Sequence, residues 1–135
     1  MLYNVYIGTN EKIIAHMRSV VNGMFIPVST YGDAVQAIDH IRERYNTSVL
    51  YEATPRTAED CGLIAALHER FPRVYLILVT PRMSDEQLTY YQEAGIHNVF
   101  SPDVSSRKVK MVEDYLNLRH EQKFEEFSRR HRNTL

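Results

Sequence analysis

The chain has 135 residues, with 16 Lys plus Arg against 17 Asp plus Glu, six His and a single cysteine, Cys61. That length supports one sizeable core and excludes two ordinary domains, and the near-neutral balance supplies no global field to draw in nucleic acid or an anionic membrane. One cysteine makes no intramolecular disulfide, and the longest strongly apolar run, VYLILV at 74–79, is far short of the roughly 20 residues of a spanning helix, so a cytoplasmic location is expected.

Strand-like and helix-like patterns alternate from end to end, without low complexity or repeats of solenoid length. LYNVYI reads as a first strand. Asn10 is a good N-cap for a helix from about Glu11 to Asn22, where Ile13, Ile14, Met17, Val20 and Val21 recur at helical spacing, and Gly23 stops it. MFIPVS is a second strand, expected at a sheet edge because Pro27 donates nothing to a ladder. A second helix is expected from Tyr31 to Tyr45, turning Val35, Ile38 and Ile41 to the core. SVLYE is a short third strand, followed by the loop ATPRT and a helix through Cys61, Leu63, Ile64 and Leu67 to Phe71, with Pro72 just beyond.

VYLILVT is apolar without alternation, as expected of a central parallel strand covered on both faces. Ser84 and Gln87 form a capping box for a fourth helix, and Gly95 is placed as its left-handed cap. HNVFS is a fifth strand, and a last helix is expected from near Ser105 to about His131. Five βα units with short connections predict an α/β, flavodoxin-like fold: a doubly wound five-stranded parallel sheet of order 2-1-3-4-5, with an elongated C-terminal helix.

Several of these stretches carry a resemblance. VYLILVTPRMSDEQLTYYQEAGIHNVFSPD resembles an apolar fourth strand ending in Thr or Ser, a helix closing on Glu-Ala-Gly and a fifth strand ending in Lys-Pro. NEKIIAHM and TYGDAVQAI add weaker support. Over residues 2–118 the chain is similar to the receiver (CheY-like) domain of two-component response regulators. In that family an Asp at the end of the third strand accepts a phosphoryl group. Mg²⁺ held by an acid pair after the first strand, and a Lys after the fifth, neutralise the mutual negative charge.

The resemblance places Gly8 and Thr9 at the acid pair, Glu52 at the acceptor and Ser101 at the Lys; Thr80 alone matches the family in type. The extra methylene of Glu52 moves its oxygen by roughly 1.5 Å, and a misplacement of about 1 Å already costs about a hundredfold. A third strand shifted by one would put Tyr51 or Ala53 at the acceptor, which is less reactive still. The expectation is a degenerate pseudo-receiver that lacks the phosphorylation residues, with no cofactor and no resident metal. Glu52 beside Thr80 has two readings: a carboxylate imitating the phosphorylated acceptor, or a strand-end group that is solvated or bonded to a nearby helix amide. Gly8-Thr9-Asn10 likewise reads either as an anion cradle or as an ordinary turn, and no GxGxxG or P-loop is present.

Other chemistry finds little support. The histidines His16, His40, His68, His97, His120 and His131 show no HxxxH or HExxH spacing, so surface placement is expected for them. Ser84, Ser101 and Cys61 lack an elbow motif or a visible base, and no enzyme is expected.

The resemblance also implies a partner-binding face on the fourth helix, fifth strand and fifth helix. Tyr90, Tyr91 and Phe100 fall there, with one of the adjacent tyrosines expected to be exposed. Val109, Val112, Leu116, His120, Phe124 and Phe127 form a stripe at steps of three and four. Phe124 and Phe127 are expected beyond the reach of the sheet, needing a second copy or an output domain unless the helix folds back. Residues 119–135 are accordingly read as a helical extension toward a partner, and RRHR as a weak basic patch; no nucleic-acid binding is expected of this domain.

The resulting expectation is the N-terminal regulatory part of a larger protein, acting by homodimerisation or by docking an output domain, either DNA-binding or a membrane-associated glycosyltransferase. One alternative is an atypical phosphoacceptor that still binds Mg²⁺, partly through Glu11 or Asp33. Another is a flavodoxin-like enzyme or small-ligand binder, which requires a pocket over the strand ends lined by more than Thr9, Glu52 and Thr80.

Overall fold

The computed structural model of the chain describes residues 2–81, 83–101 and 122–131. The elements run β1 (Tyr3–Ile7), α1 (Glu11–Val20), β2 (Met24–Val28), α2 (Tyr31–Asp39), a 3₁₀ turn (Arg44–Asn46), β3 (Thr47–Glu52), α3 (Thr57–Arg70), β4 (Tyr75–Val79), α4 (Asp85–Ala94) and β5 (Asn98–Phe100). Residues 122–131 form a C-terminal helix. The five strands are parallel in the order β2-β1-β3-β4-β5, the expected doubly wound topology. Pro27 lies opposite Tyr6 on the edge strand β2, where its missing N–H leaves no central ladder broken.

Local chemistry sets the element ends. The Asn10 side chain accepts from the N–H groups of Lys12 and Ile13, Thr30 caps α2 through the N–H of Asp33, and Ser84 caps α4 through that of Gln87. Gly95 closes α4 at φ +125°, a conformation that L side chains rarely adopt. Two expected helices are shorter than read. The first ends at Val20, and Val21 is already extended. The second ends at Asp39, since a helix continued to Tyr45 would leave only one residue to reach β3 at Thr47. Ile41 remains buried from the connecting turn.

Alternation along the strands divides the core in two. Val5, Ile7, Val49, Tyr51, Leu76 and Leu78 face one side and pack with Ala34 and Ile38 of α2, Ile64 and Leu67 of α3 and Tyr91 of α4. Tyr6, Leu50, Tyr75, Ile77 and Val79 face the other, against Met17 of α1 and Phe124 and Phe127 of the C-terminal helix. Every residue of β4 is buried, which explains its unbroken apolar run.

The expectation that Phe124 and Phe127 lie beyond the sheet is corrected here. Their rings sit 5.6 and 5.3 Å from that of Tyr75, and both are buried. Residues 122–131 fold back onto the sheet because these two rings find an apolar surface at the start of β4. The expected helix start near Ser105, the stripe residues Val109, Val112 and His120, and Leu116 lie outside the described residues. No helix among the described residues is long and apolar enough to cross a membrane.

Candidate functional site

Glu52 is the last residue of β3, and its side chain turns toward β1. The Tyr6 hydroxyl donates to Glu52 Oε2 at 2.6 Å, and the Asn10 main-chain N–H donates to the same oxygen at 3.3 Å. Asn10 is the N-cap of α1, so the carboxylate also stands at the positive end of that helix. Tyr6 is fully buried, and its hydroxyl pKa is driven far above the ordinary tyrosine value, first by burial and then by the hydrogen bond and charge of Glu52. The hydroxyl therefore remains a donor throughout the physiological range.

Gly8 is part of this arrangement. A Cβ added at Gly8 would fall on Glu52 Oε2 and lie 2.6 and 2.7 Å from Glu52 Cβ and Cδ. The Glu52 side chain fills the space that a side chain at position 8 would need, so the two residues are mutually dependent. Glu52 thus bonds a helix amide. Among the described residues no hydrogen bond joins it to Thr80 or Ser101. Thr80 is buried at the end of β4, its N–H donating to Phe100 O at 3.0 Å.

The family's Mg²⁺ does not fit these residues. Gly8 and Thr9 carry no carboxylate, and Glu52 Oε2 already accepts two hydrogen bonds. Among the described residues no group of three or more His, Cys, Asp and Glu side chains is placed to hold a metal ion. Glu11 and Asp33 stand in the first turns of α1 and α2.

A second carboxylate, not singled out in the sequence, organises the other side of the site. Asp60 of α3 is 1% exposed. It accepts from the hydroxyls of Tyr51 (2.9 Å), Tyr91 (2.8 Å) and Thr54 (2.8 Å), and from the Thr54 N–H (2.8 Å). These bonds join β3, the β3–α3 loop, α3 and α4 at one point. Burial and the bond to Asp60 raise the pKa values of Tyr51 and Tyr91 well above the ordinary value, which keeps both as donors. In the sequence Asp60 reads as a first-turn acid that complements the helix dipole; only contact with Tyr51 and Tyr91 distinguishes it.

Between the two carboxylates an open cleft of about 440 Å³ lies over the ends of β1 and β3, lined by Thr9, Ser29, Thr30, Glu52, Thr54 and Arg56 among others. Thr80 is not among its walls. Arg56 is partnered by Glu59 at 3.4 Å.

The residues expected on the partner face are distributed unevenly. Tyr90 is 53% exposed, whereas Tyr91 is fully buried against Asp60, a correction to its placement on a partner surface. Phe100 is likewise buried, and Phe124 and Phe127 are covered by the sheet. His97, expected at the surface, stacks on Tyr75 and is partly buried.

No family model matches the sequence, and no curated protein matches it. Solved structures do. The signal receiver domain of an HD domain-containing protein from Pseudomonas fluorescens Pf-5 superposes with a TM-score of 0.73 at 15% identity, covering 98% of this chain and 93% of that one. The CheY-like protein tadZ from Pseudomonas aeruginosa PAO1 gives 0.66 at 8% identity, over 86% of this chain and 99% of its own. NtrX from Brucella abortus gives 0.70 at 13% identity, over 99% of this chain but only 29% of NtrX. The chain therefore has the fold of CheY-like response-regulator receiver domains.

Proposed function

We propose that this chain is a pseudo-receiver: a cytoplasmic, non-enzymatic regulatory module that acts through protein contacts without phosphorylation of an acceptor carboxylate. The observation that carries the reading is the placement of Glu52. Its carboxylate is engaged by Tyr6 and the start of α1 and fills the space over Gly8. A phosphoryl group there would have to displace those bonds without a metal to neutralise it. That the chain aligns with only 29% of NtrX supports reading it as a regulatory unit of a larger protein with an output domain. The contact surface is centred on Tyr90 of α4, for a second copy or that output domain.

The test is an amide NMR titration with Mg²⁺ and then beryllofluoride, followed at Thr9, Glu52, Thr80 and Ser101. No saturable shift is expected at any of the four. Saturable shifts that spread to α4 and β5 would overturn the reading in favour of an atypical phosphoacceptor.

The cleft favours a second reading, a binder of a small polar ligand, since its walls extend past Thr9 and Glu52 to Ser29, Thr30 and Thr54. Native mass spectrometry of the protein purified without added ligand distinguishes the two: a stoichiometric adduct lost on unfolding supports the second.

A further inference from the structure

At the amino ends of β4 and β5, away from Glu52, rings from four elements pack against one another. His97, just before β5, stacks on Tyr75 of β4 with centroids 5.1 Å apart and planes at 15°. It meets His68 of α3 at 5.7 Å and Phe127 of the C-terminal helix at 4.7 Å, both edge-on. Phe127 in turn stacks on His131 at 3.8 Å. One turn of the same helix is fastened by the Ser128 hydroxyl, which donates to Tyr45 O at 2.6 Å. His97 is thus the polar centre of the surface on which the helix rests.

Its ring has a defined protonation state. The Leu76 N–H donates to His97 Nδ1 at 3.0 Å, while the His97 main-chain N–H donates to Leu76 O at 2.9 Å. With Nδ1 accepting, the neutral ring carries its proton on Nε2. A second proton has only Nδ1 to occupy, where it would meet the Leu76 N–H donor to donor. The titratable groups facing the ring among the described residues are His68 from α3, Tyr75 from β4 and His131 from the C-terminal helix, and no described carboxylate is among those acting on it. Burial first, and then the charges of His68 and His131, lower the pKa of His97 to about 4.

We propose that the C-terminal helix is a proton-sensitive latch, docked on the sheet while His97 is neutral and released when His97 takes a proton from mildly acidic solution. Undocking withdraws Phe127 and His131, admits water to the ring and restores a more ordinary imidazole. The docked state binds fewer protons than the undocked one below the ordinary histidine pKa, so acid favours release. Between about pH 7.5 and pH 5 the undocked population gains on the order of tenfold. The rings freed by release, Phe124, Phe127 and Tyr75, then become accessible together. This inference is independent of the reading of Glu52.

Amide hydrogen exchange on the full chain, corrected for intrinsic rates, tests it. Protection at residues 122–131 is expected to fall on the order of tenfold between about pH 7.5 and pH 5 while β3 and β4 stay protected. In His97→Asn, which offers an oxygen to the Leu76 N–H and takes no proton, the helix is expected to stay protected at both values. A fall that persists in His97→Asn, or no fall in the unaltered protein, overturns the proposal. Should the variant lose the docked helix at neutral pH, the His97 ring titration in the unaltered protein decides. Protonation coincident with loss of helix protection supports the latch, and protonation with the helix still protected overturns it.

Discussion

Tyr6 and Glu52, 46 residues apart in the chain, are joined by a 2.6 Å hydrogen bond that closes the space over Gly8. The bond gives the strand-end carboxylate a buried phenol as its partner. Tyr6→Phe is expected to cost about 1.5–3 kcal/mol, the usual range for a hydrogen bond to a charged group. A urea unfolding midpoint that falls with an unchanged m-value checks it.

Gly8→Ala forces Glu52 out of its position and is expected to cost about 1–3 kcal/mol, as overpacking does. In a Glu52→Gly background, which removes the Cβ as well as the carboxylate, the same substitution meets an empty space and costs less. A double-mutant cycle by urea unfolding measures the difference, and strict additivity would show that the two side chains do not compete.

Asp60→Ala is expected to cost more than about 3 kcal/mol, because it leaves the Tyr51 and Tyr91 hydroxyls buried without their acceptor. Asp60→Asn keeps one acceptor oxygen and is expected to cost less, as is Tyr91→Phe, which removes one donor. Thermal unfolding of the three variants ranks them.

The depressed pKa of His97, about 4, makes overall stability depend on pH in a defined direction. Between the ordinary histidine pKa, about 6.5, and the folded value, the unfolded chain binds more protons, so the contribution is complete above that window and is lost as pH falls through it. Allowing for the partial exposure of the ring, the loss is on the order of 1–2 kcal/mol. Urea midpoints at several pH values, compared with those of His97→Asn, isolate it from the carboxylates.

Tyr90 and Phe127 are both candidate contact aromatics in the sequence, yet they predict opposite behaviour. Tyr90→Ser changes an exposed ring and is expected to stay within about 0.5 kcal/mol, whereas Phe127→Ala removes a buried one and is expected to cost about 3 kcal/mol. Thermal unfolding separates them, and sedimentation shows whether Tyr90→Ser weakens self-association.

The strand order was legible in advance because each clue to it is local. Pro27 marks an edge, the unbroken VYLILV marks a centre, and Asn10, Ser84 and Gly95 act within one turn of their own positions. The α2 end was misread because nothing near Asp39 breaks a helix; the constraint is the distance to β3. The residue types at the strand ends, Gly8, Thr9, Glu52, Thr80 and Ser101, were likewise readable position by position.

The bonding at these strand ends was not visible. Tyr6 lies unmarked within LYNVYI, Asp60 is not singled out, and Phe124 and Phe127 read as rings in search of another chain. Their roles depend on partners 46, 9, 31 and about 50 residues away, brought close only by the sheet. Read alone, the sequence carries the order and type of the elements and the residue types at each strand end, because propensity, capping and residue identity are properties of short stretches. The tertiary structure alone decided which carboxylate meets which hydroxyl and which aromatic is covered, because hydrogen bonding and burial depend on where distant segments come to lie.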